Sequence, residues 1–410
     1  MKKIILSLMT LVSLTASAQF GGFGGFGGGG GNPWVDSEAA TSEDFKPALS
    51  NHDNKQYPMV NSARQVRAQI SAPNATKVGL DIAGKIYTMT KDEKGVWTGT
   101  SAPQDPGFHY YQLNIDGASV PDPGSLYYYG ASRWGSGIEV PSEDQDFWQV
   151  KNVPQGSMGE VYYYSTYTEK MRRCFVYLPN EYFTNPTKKF PVLYLQHGMG
   201  ENEYSWPYQG HVASIMDNLI AAKKALPFIV VMDNGLNAAK PFPAGEIPQG
   251  LQGGQRPQGG QRRQGGFGGF GGGFAEDFKN VLFNDIMPMI EKNYRVIADP
   301  AHRAYAGLSM GGMQAREVTL ANPGKFAYVG SFSSGAWNVD QVKNSDGFAQ
   351  KTKLLFMSGG GKENMGCVEA AKNIKEQLGM NAVGYESPGT AHEFHTWRRS
   401  LYEFAQLLFK

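Results

Sequence analysis

The chain has 410 residues, 41 % hydrophobic and 18 % charged, and Lys+Arg 38 against Asp+Glu 37 leave a net charge of +1. That length suggests two or three domains with a sizeable core. The balanced charge supplies no global field, so nucleic acid and anionic membrane surfaces drop out as default partners.

In chain order, Lys2 and Lys3 precede a short apolar run, Ile4 to Leu14, and Ala16-Ser17-Ala18 follows it. This pattern predicts a signal peptide over residues 1–18, cleaved after Ala18, because the run is too short to cross a bilayer. No Cys follows the cleavage site, so no lipid anchor is expected there, and no later run reaches ~18 apolar residues. The mature protein is therefore expected to be exported, soluble, and periplasmic or extracellular, with no integral membrane segment. Cys174 and Cys367 are too few for a disulfide framework; they either pair or stay apart as buried thiols.

Residues 19–60 read as a glycine-rich linker and a polar lead-in. Residues 21–31 hold 9 of the 52 glycines. Such a stretch buries too little to offset the ordering entropy of glycine. Residues 61–143 change to short alternating runs: Val66, Ala68 and Ile70; Val78, Leu80 and Ile82; Tyr111, Leu113 and Ile115. Turn signals such as Ala72-Pro73-Asn74 and Asp116-Gly117 separate them, and this spacing predicts a small immunoglobulin-like β-sandwich.

Residues 150–410 alternate strands with helices. The apolar runs Cys174–Leu178, Val192–Leu195, Phe228–Met232, Ala304–Leu308, Tyr328–Phe332 and Leu354–Met357 read as buried strands. Val212, Ile215, Met216 and Ile220, and Val281, Ile286, Met289 and Ile290, repeat at helical spacing. The pattern predicts an α/β-hydrolase architecture, a mostly parallel sheet with helices on both faces. One tract breaks the alternation: residues 245–274 carry Gly, Gln, Arg and Pro and are expected to be a disordered surface insertion. Its arginines, Arg256, Arg262 and Arg263, would suit a tolerated expansion, or a lid or contact with acidic polysaccharide.

The strongest chemical signal is Gly307-Leu308-Ser309-Met310-Gly311, between a predicted strand and a predicted helix. A G-x-S-x-G turn in this context lifts a serine hydroxyl above the sheet, so Ser309 is the expected nucleophile. In this fold the acid and then the histidine follow the serine. Downstream of Ser309 only His392 and His395 are available; His392 is the expected base and His395 the fallback. Their spacing does not match the His-Glu-x-x-His of a zinc helix, so no metal and no cofactor are expected. Glu363 is the first carboxylate after the Leu354–Met357 strand and is the expected acid, orienting the imidazole. The oxyanion donors are expected to be the backbone amides of Met310 and of Met199, the latter in Gln196-His197-Gly198-Met199-Gly200 after the Val192–Leu195 strand. His197 is expected to play a structural part.

Taken together, His197-Gly198-Met199-Gly200 with Trp206, Phe283-Asn284-Asp285-Ile286-Met287-Pro288 before Tyr294, the Ser309 turn, and His392 followed by Trp397 resemble carbohydrate esterase family one. That group includes feruloyl esterases and acetyl xylan esterases. The resemblance covers about residues 155–410 and implies a Ser–His–acid hydrolase acting on hydroxycinnamoyl (feruloyl) esters of plant xylan, with feruloylated or acetylated xylan and its oligosaccharides as partners. Acetyl xylan esterase, siderophore esterase and acyltransferase activities are the alternatives on the same fold. The family's acid is usually Asp, whereas Glu363 stands here. Trp206 and Trp397 are expected, from motif position, to contact substrate. Ser71-Ala72-Pro73-Asn74-Ala75, Gly95-Val96-Trp97 and Pro106-Gly107-Phe108-His109-Tyr110-Tyr111 in turn resemble a carbohydrate-binding module of family forty-eight. Trp97, Tyr127, Tyr128, Tyr129 and Trp134 would then either stack on sugars or pack internally.

Overall fold

A computed structural model describes residues 31–236, 238–239 and 274–410. The expected signal peptide, the linker up to residue 30 and the insertion up to residue 273 lie outside the described residues.

The N-terminal part is a sandwich of two sheets. One carries Val78–Ile82, Lys85–Thr88, Gly107–Ile115, Tyr127–Gly130 and Arg133–Val140; the other carries Gln65–Ser71 and Val96–Pro103 at its centre. The alternation in the sequence is the cause. Val66 and Ala68 on one sheet and Val78, Leu80, Ile82, Tyr111 and Leu113 on the other point inward and are buried together. Trp97 belongs to this core, with its Nε1–H donating to the Ala72 carbonyl at 2.9 Å. Tyr128 is buried as well, whereas Tyr127 and Trp134 are about half exposed.

The lead-in is a correction. Trp34–Asp36 pairs in parallel with Lys85–Thr88, while Lys46–Pro47 and Met59–Val60 extend the second sheet, so the sandwich takes up residues assigned above to the lead-in before residue 61. Strands of two or three residues are too short to show a period of two.

The second part is an eight-stranded sheet. Its strands are β1 (Ser157–Ser165), β2 (Lys170–Leu178), β3 (Val192–Gln196), β4 (Ile229–Asp233), β5 (Arg303–Leu308), β6 (Tyr328–Phe332), β7 (Leu354–Gly360) and β8 (Ala382–Ser387). Their order is β1-β2-β4-β3-β5-β6-β7-β8. β1, β2 and β4 pair antiparallel and the remaining pairs are parallel. Successive residues of the central strands feed opposite cores. Tyr194, Val231, Tyr305 and Val329 pack under α2 (Phe274–Val281), α3 (Met310–Ala321) and α4 (Cys367–Leu378). Leu193, Val230, Ala306 and Phe356 pack under α1 (Val212–Ala221) and α5 (Phe394–Ala405). Burial on both faces is why these strands read as unbroken apolar runs.

The two parts share a core. Phe108 and Tyr128 of the sandwich are buried in the α1/α5 cluster, and Phe108 meets Phe394 edge-on at 5.9 Å. Polar contacts across the boundary are also buried. Arg398 of α5 forks onto Glu139 with 3.1 and 2.5 Å contacts and donates from Nε to the Gln209 carbonyl at 2.7 Å. The sandwich thereby lies over the α5 side of the sheet and reaches the loops after β3 and β7, where the Ser132 amide donates to the Gly200 carbonyl at 2.8 Å and Lys362 pairs with Asp105 at 2.8 Å. Cys174 on β2 and Cys367 at the start of α4 are both buried free thiols, which settles the pairing question left open by the sequence.

The Asp285 motif has a structural role. In a π-helical turn over Leu282–Ile286, Asp285 accepts hydrogen bonds from the Ser165 hydroxyl (2.5 Å) and from the Thr166 amide (2.9 Å) and hydroxyl (2.6 Å). It ties the helical layer to the β1–β2 turn.

Candidate active site

β5 ends at Leu308 and α3 starts at Met310, so the whole turn is Ser309, with φ +48° and ψ −115°. A non-glycine residue in such a conformation costs of order 1–3 kcal/mol and persists only where its surroundings hold it. Two contacts do so. The Ser309 amide donates to the Phe332 carbonyl at 2.7 Å, and α3 is drawn close to the end of β3 because residue 311 has no side chain. A Cβ on Gly311 would stand 2.5 Å from the His197 carbonyl oxygen and 2.7 Å from that of Gln196.

The loops after β7 and β8 bring in the other two groups. His392 Nε2 lies 3.0 Å from Ser309 Oγ, and His392 Nδ1 lies 2.7 Å from Glu363 Oε1. The Ser333 hydroxyl at 2.6 Å and the Gly360 amide at 2.7 Å both donate to Glu363 Oε2. Burial pushes the Glu363 carboxyl up, but the hydrogen bond and charge of His392 and the two donors outweigh it. The net pKa is below the usual carboxylate range. A carboxylate so placed fixes the Nδ1–H tautomer of His392 and leaves Nε2 free to accept a proton from Ser309.

The segments that carry the two expected oxyanion amides both border Ser309. The Met310 amide opens α3, and the first amides of a helix have no acceptor within it. A Cβ on Gly198, beside Met199, would stand 3.4 Å from Ser309 Cβ, so the Gly198–Met199 turn borders the serine. His197 braces that turn. The Gly235 amide donates to its Nε2 at 3.0 Å, which leaves Nδ1–H to donate to the Gly198 carbonyl at 2.7 Å. Burial holds the His197 pKa down to about 4, so it stays neutral, in keeping with a structural part.

Trp206 and His395 do not line the cleft beside His392, whereas Trp397 does. Trp206 is 1 % exposed; its Nε1–H donates to the Gln196 carbonyl at 2.9 Å and its ring packs on Phe332 and Phe394. It is a support beneath the β3 turn and not a wall of the cleft. Trp397 does line the cleft, yet it is 3 % exposed and sits edge-on to His392 at 5.1 Å, backing the imidazole. His395 points into the inter-domain boundary, 3.2 Å from Asp144 Oδ1, and burial lowers its pKa to about 4. It is not near Ser309, and His392 is the histidine that reaches it.

A cleft of about 420 Å³ opens beside His392 between the two parts. Phe108, His109 and Tyr110 of the sandwich face Glu201, Lys362 and Phe394 of the second part across it. Sequence reasoning passed over Ser333 and Glu201. Ser333 carries no motif. Glu201 had one faint signal, a carboxylate directly after the His197-Gly198-Met199-Gly200 turn. Among the described residues, no group of three or more His, Cys, Asp and Glu side chains is arranged to hold a metal ion.

The profile of a putative esterase family matches residues 165–407. A curated protein of Xylanibacter ruminicola described as an endo-1,4-beta-xylanase/feruloyl esterase is 42 % identical over 376 residues, 90 % of this chain and 48 % of its own length. The chain thus spans about half of that relative. Among solved structures, a CE1 ferulic acid esterase from Anaeromyces mucronatus is 21 % identical with a TM-score of 0.50, covering 65 % of this chain and 96 % of its own. An enterobactin esterase from Shigella flexneri is 15 % identical with a TM-score of 0.58, covering 84 % of this chain and 92 % of its own. At these identities the two structures bear on the fold alone.

Proposed function

This chain belongs to the putative esterase family, and on that premise we propose that it is a serine esterase cleaving hydroxycinnamoyl, in particular feruloyl, esters of plant xylan. The observation that carries the reading is the hydrogen-bonded line Ser309–His392–Glu363 at one end of the parallel strands. The feruloyl preference is supported by the Xylanibacter ruminicola relative.

Ser309 Oγ attacks the ester carbonyl carbon while His392 Nε2 takes its proton. Glu363 stays ionised and stabilises the imidazolium. The amides of Met310 and Met199 donate to the carbonyl oxygen as it becomes an oxyanion. The tetrahedral intermediate collapses, His392 returns the proton to the departing sugar oxygen, and the acyl group remains on Ser309. Water, deprotonated by His392, then releases the acid.

Export is part of the proposal, supported by Lys2, Lys3, the Ile4–Leu14 run and Ala16-Ser17-Ala18. So is contact of the sandwich with glycan, supported by the half-exposed rings of Tyr127 and Trp134.

The test is a panel of methyl ferulate, methyl cinnamate, aryl acetate and feruloylated arabinoxylan oligosaccharide with wild type and Ser309→Ala. The highest kcat/KM is expected on the feruloyl oligosaccharide, and turnover of every ester should fall by orders of magnitude in the variant. A higher kcat/KM on acetyl esters would move the assignment to acetyl xylan esterase.

A further inference from the structure

Glu201 is a buried carboxyl that the reaction above does not use. It is 2 % exposed, on the loop that follows β3, and it lines the cleft. Its Oε2 accepts the Gly198 amide at 3.0 Å, and that is the carboxyl's single hydrogen-bond partner among the described residues. A Cβ on Gly198 would lie 3.5 Å from Glu201 Oε2 and 3.4 Å from Ser309 Cβ. The carboxyl and the nucleophile therefore flank the same short piece of backbone. An ionised carboxylate here would oppose the negative charge that develops on the substrate carbonyl. A neutral acid would instead have an O–H to donate.

We propose that Glu201 works as a neutral carboxylic acid: one oxygen fixes the Gly198–Met199 turn, and the other donates a hydrogen bond to an acceptor oxygen of the ester substrate in the cleft. This rests on the esterase reading and adds a positioning and substrate-contacting residue to it.

The surroundings keep the acid neutral at moderate pH. Burial is the largest cause and raises its pKa to about 8, against a smaller lowering by the Gly198 amide. The charged and titratable groups facing the cleft from the packed elements are Lys85, Tyr87, Asp105, His109 and Tyr110 of the sandwich and Lys362, His392 and Glu393 of the second part. Of the two lysines, Lys362 is paired with Asp105 at 2.8 Å, and neither forms an ion pair with Glu201 among the described residues. Burial also raises Glu393, and Tyr110 is pushed far above its ordinary range. None of these offers Glu201 a dedicated counter-ion. The sign follows: the carboxyl is protonated below about pH 8, and its ionisation above that value removes the donor and places a negative charge beside the oxyanion.

The experiment is the pH dependence of kcat/KM on methyl ferulate, from pH 6 to 10, for wild type, E201Q and E201A, with thermal melts to establish that each is folded. The carboxamide of E201Q offers an acceptor and an N–H donor but does not titrate. Wild type is expected to lose kcat/KM at least tenfold through an alkaline limb near pH 8. E201Q should lack that limb and retain at least tenfold more kcat/KM at pH 7 than E201A. An alkaline limb unchanged in E201Q, a wild-type profile with no limb, or an E201Q as impaired at pH 7 as E201A would each overturn the proposal. Ser309→Ala run in parallel separates the layers. If it loses turnover while E201Q behaves as wild type, only the Glu201 proposal fails. If Ser309→Ala turns over normally, the esterase reading itself fails.

Discussion

Ser309 Oγ and His392 Nε2 stand 3.0 Å apart although 83 positions separate them in the chain. The serine is presented at the end of β5 and the histidine by the loop that leads from β8 into α5. Their meeting requires β6, β7 and β8 to be laid in order beside β5. The contact is thus a direct readout of the sheet topology.

Ser309→Ala should lower kcat on methyl ferulate by ~10⁴-fold or more, with KM changed only a few-fold, because the nucleophile acts in the chemical step. A serine-directed phosphonate should label wild type and not the variant. Retained labelling at another residue would displace Ser309 from the reaction.

Glu363→Gln should lower kcat by roughly 10³–10⁴-fold, since the amide no longer holds the His392 tautomer or its positive charge. The native carboxylate, lowered by its hydrogen bonds, contributes stability that is present above its unfolded value and is lost as pH falls through its lowered folded value. Acid unfolding followed by circular dichroism should therefore show a weaker pH dependence in the Gln variant. Equal acid titrations would argue that the carboxylate is not held as described.

The Arg398–Glu139 pair bonds the sandwich to α5. Arg398 is fully buried; burial raises the Glu139 carboxyl, but the charge and hydrogen bonds of Arg398 and His211 together outweigh it and depress Glu139 to about 2. Arg398→Met should destabilise by about 3–5 kcal/mol, because it strands a buried carboxylate. Arg398→Met with Glu139→Gln should recover part of that loss. Glu139 supports the fold above its ordinary value near 4.5 and loses that support as pH drops toward about 2. Chemical denaturation of wild type, Arg398→Met, Glu139→Gln and the double variant checks this; additive losses would remove the coupling.

Gly311→Ala should reduce kcat far more than it reduces labelling by a small sulfonyl fluoride. The added Cβ meets the His197 and Gln196 carbonyls and pushes α3 away from the turn that carries the Met199 amide. The expected fall in kcat is ~10²-fold, comparable to loss of one oxyanion donor. Normal kcat in a folded variant would show that the two segments need no close contact.

Cys174 and Cys367 should be silent toward a thiol reagent in the native protein and titrate as two thiols in denaturant, with or without reductant. Burial raises both, Cys367 to about 12 and Cys174 beyond its ordinary range, so neither offers a reactive thiolate. Recovery of thiols only after reduction would reveal a disulfide.

The local rules that could be read along the chain concern strands, turns and one nucleophile. Apolar runs marked the central strands because both of their faces are buried. The glycines around Ser309 marked the turn because a strained bend needs them. The order serine, acid, histidine left His392 and His395 as candidate bases, with Glu363 the first carboxylate after the Leu354–Met357 strand. The edges were less legible: β1 is half exposed and amphipathic, and the pairs at 34–36, 46–47 and 59–60 are too short to carry a period. Tertiary structure alone decided that His395 turns into the domain boundary, that Trp206 lies under the β3 turn, and that the sandwich closes one side of the cleft. It also decided that Glu201 loses its solvent. Sequence encodes the conformation that a residue's immediate neighbours impose. Burial and distance depend on which remote segments fold over that residue, and a carboxyl reveals its charge state only once the water around it has been displaced.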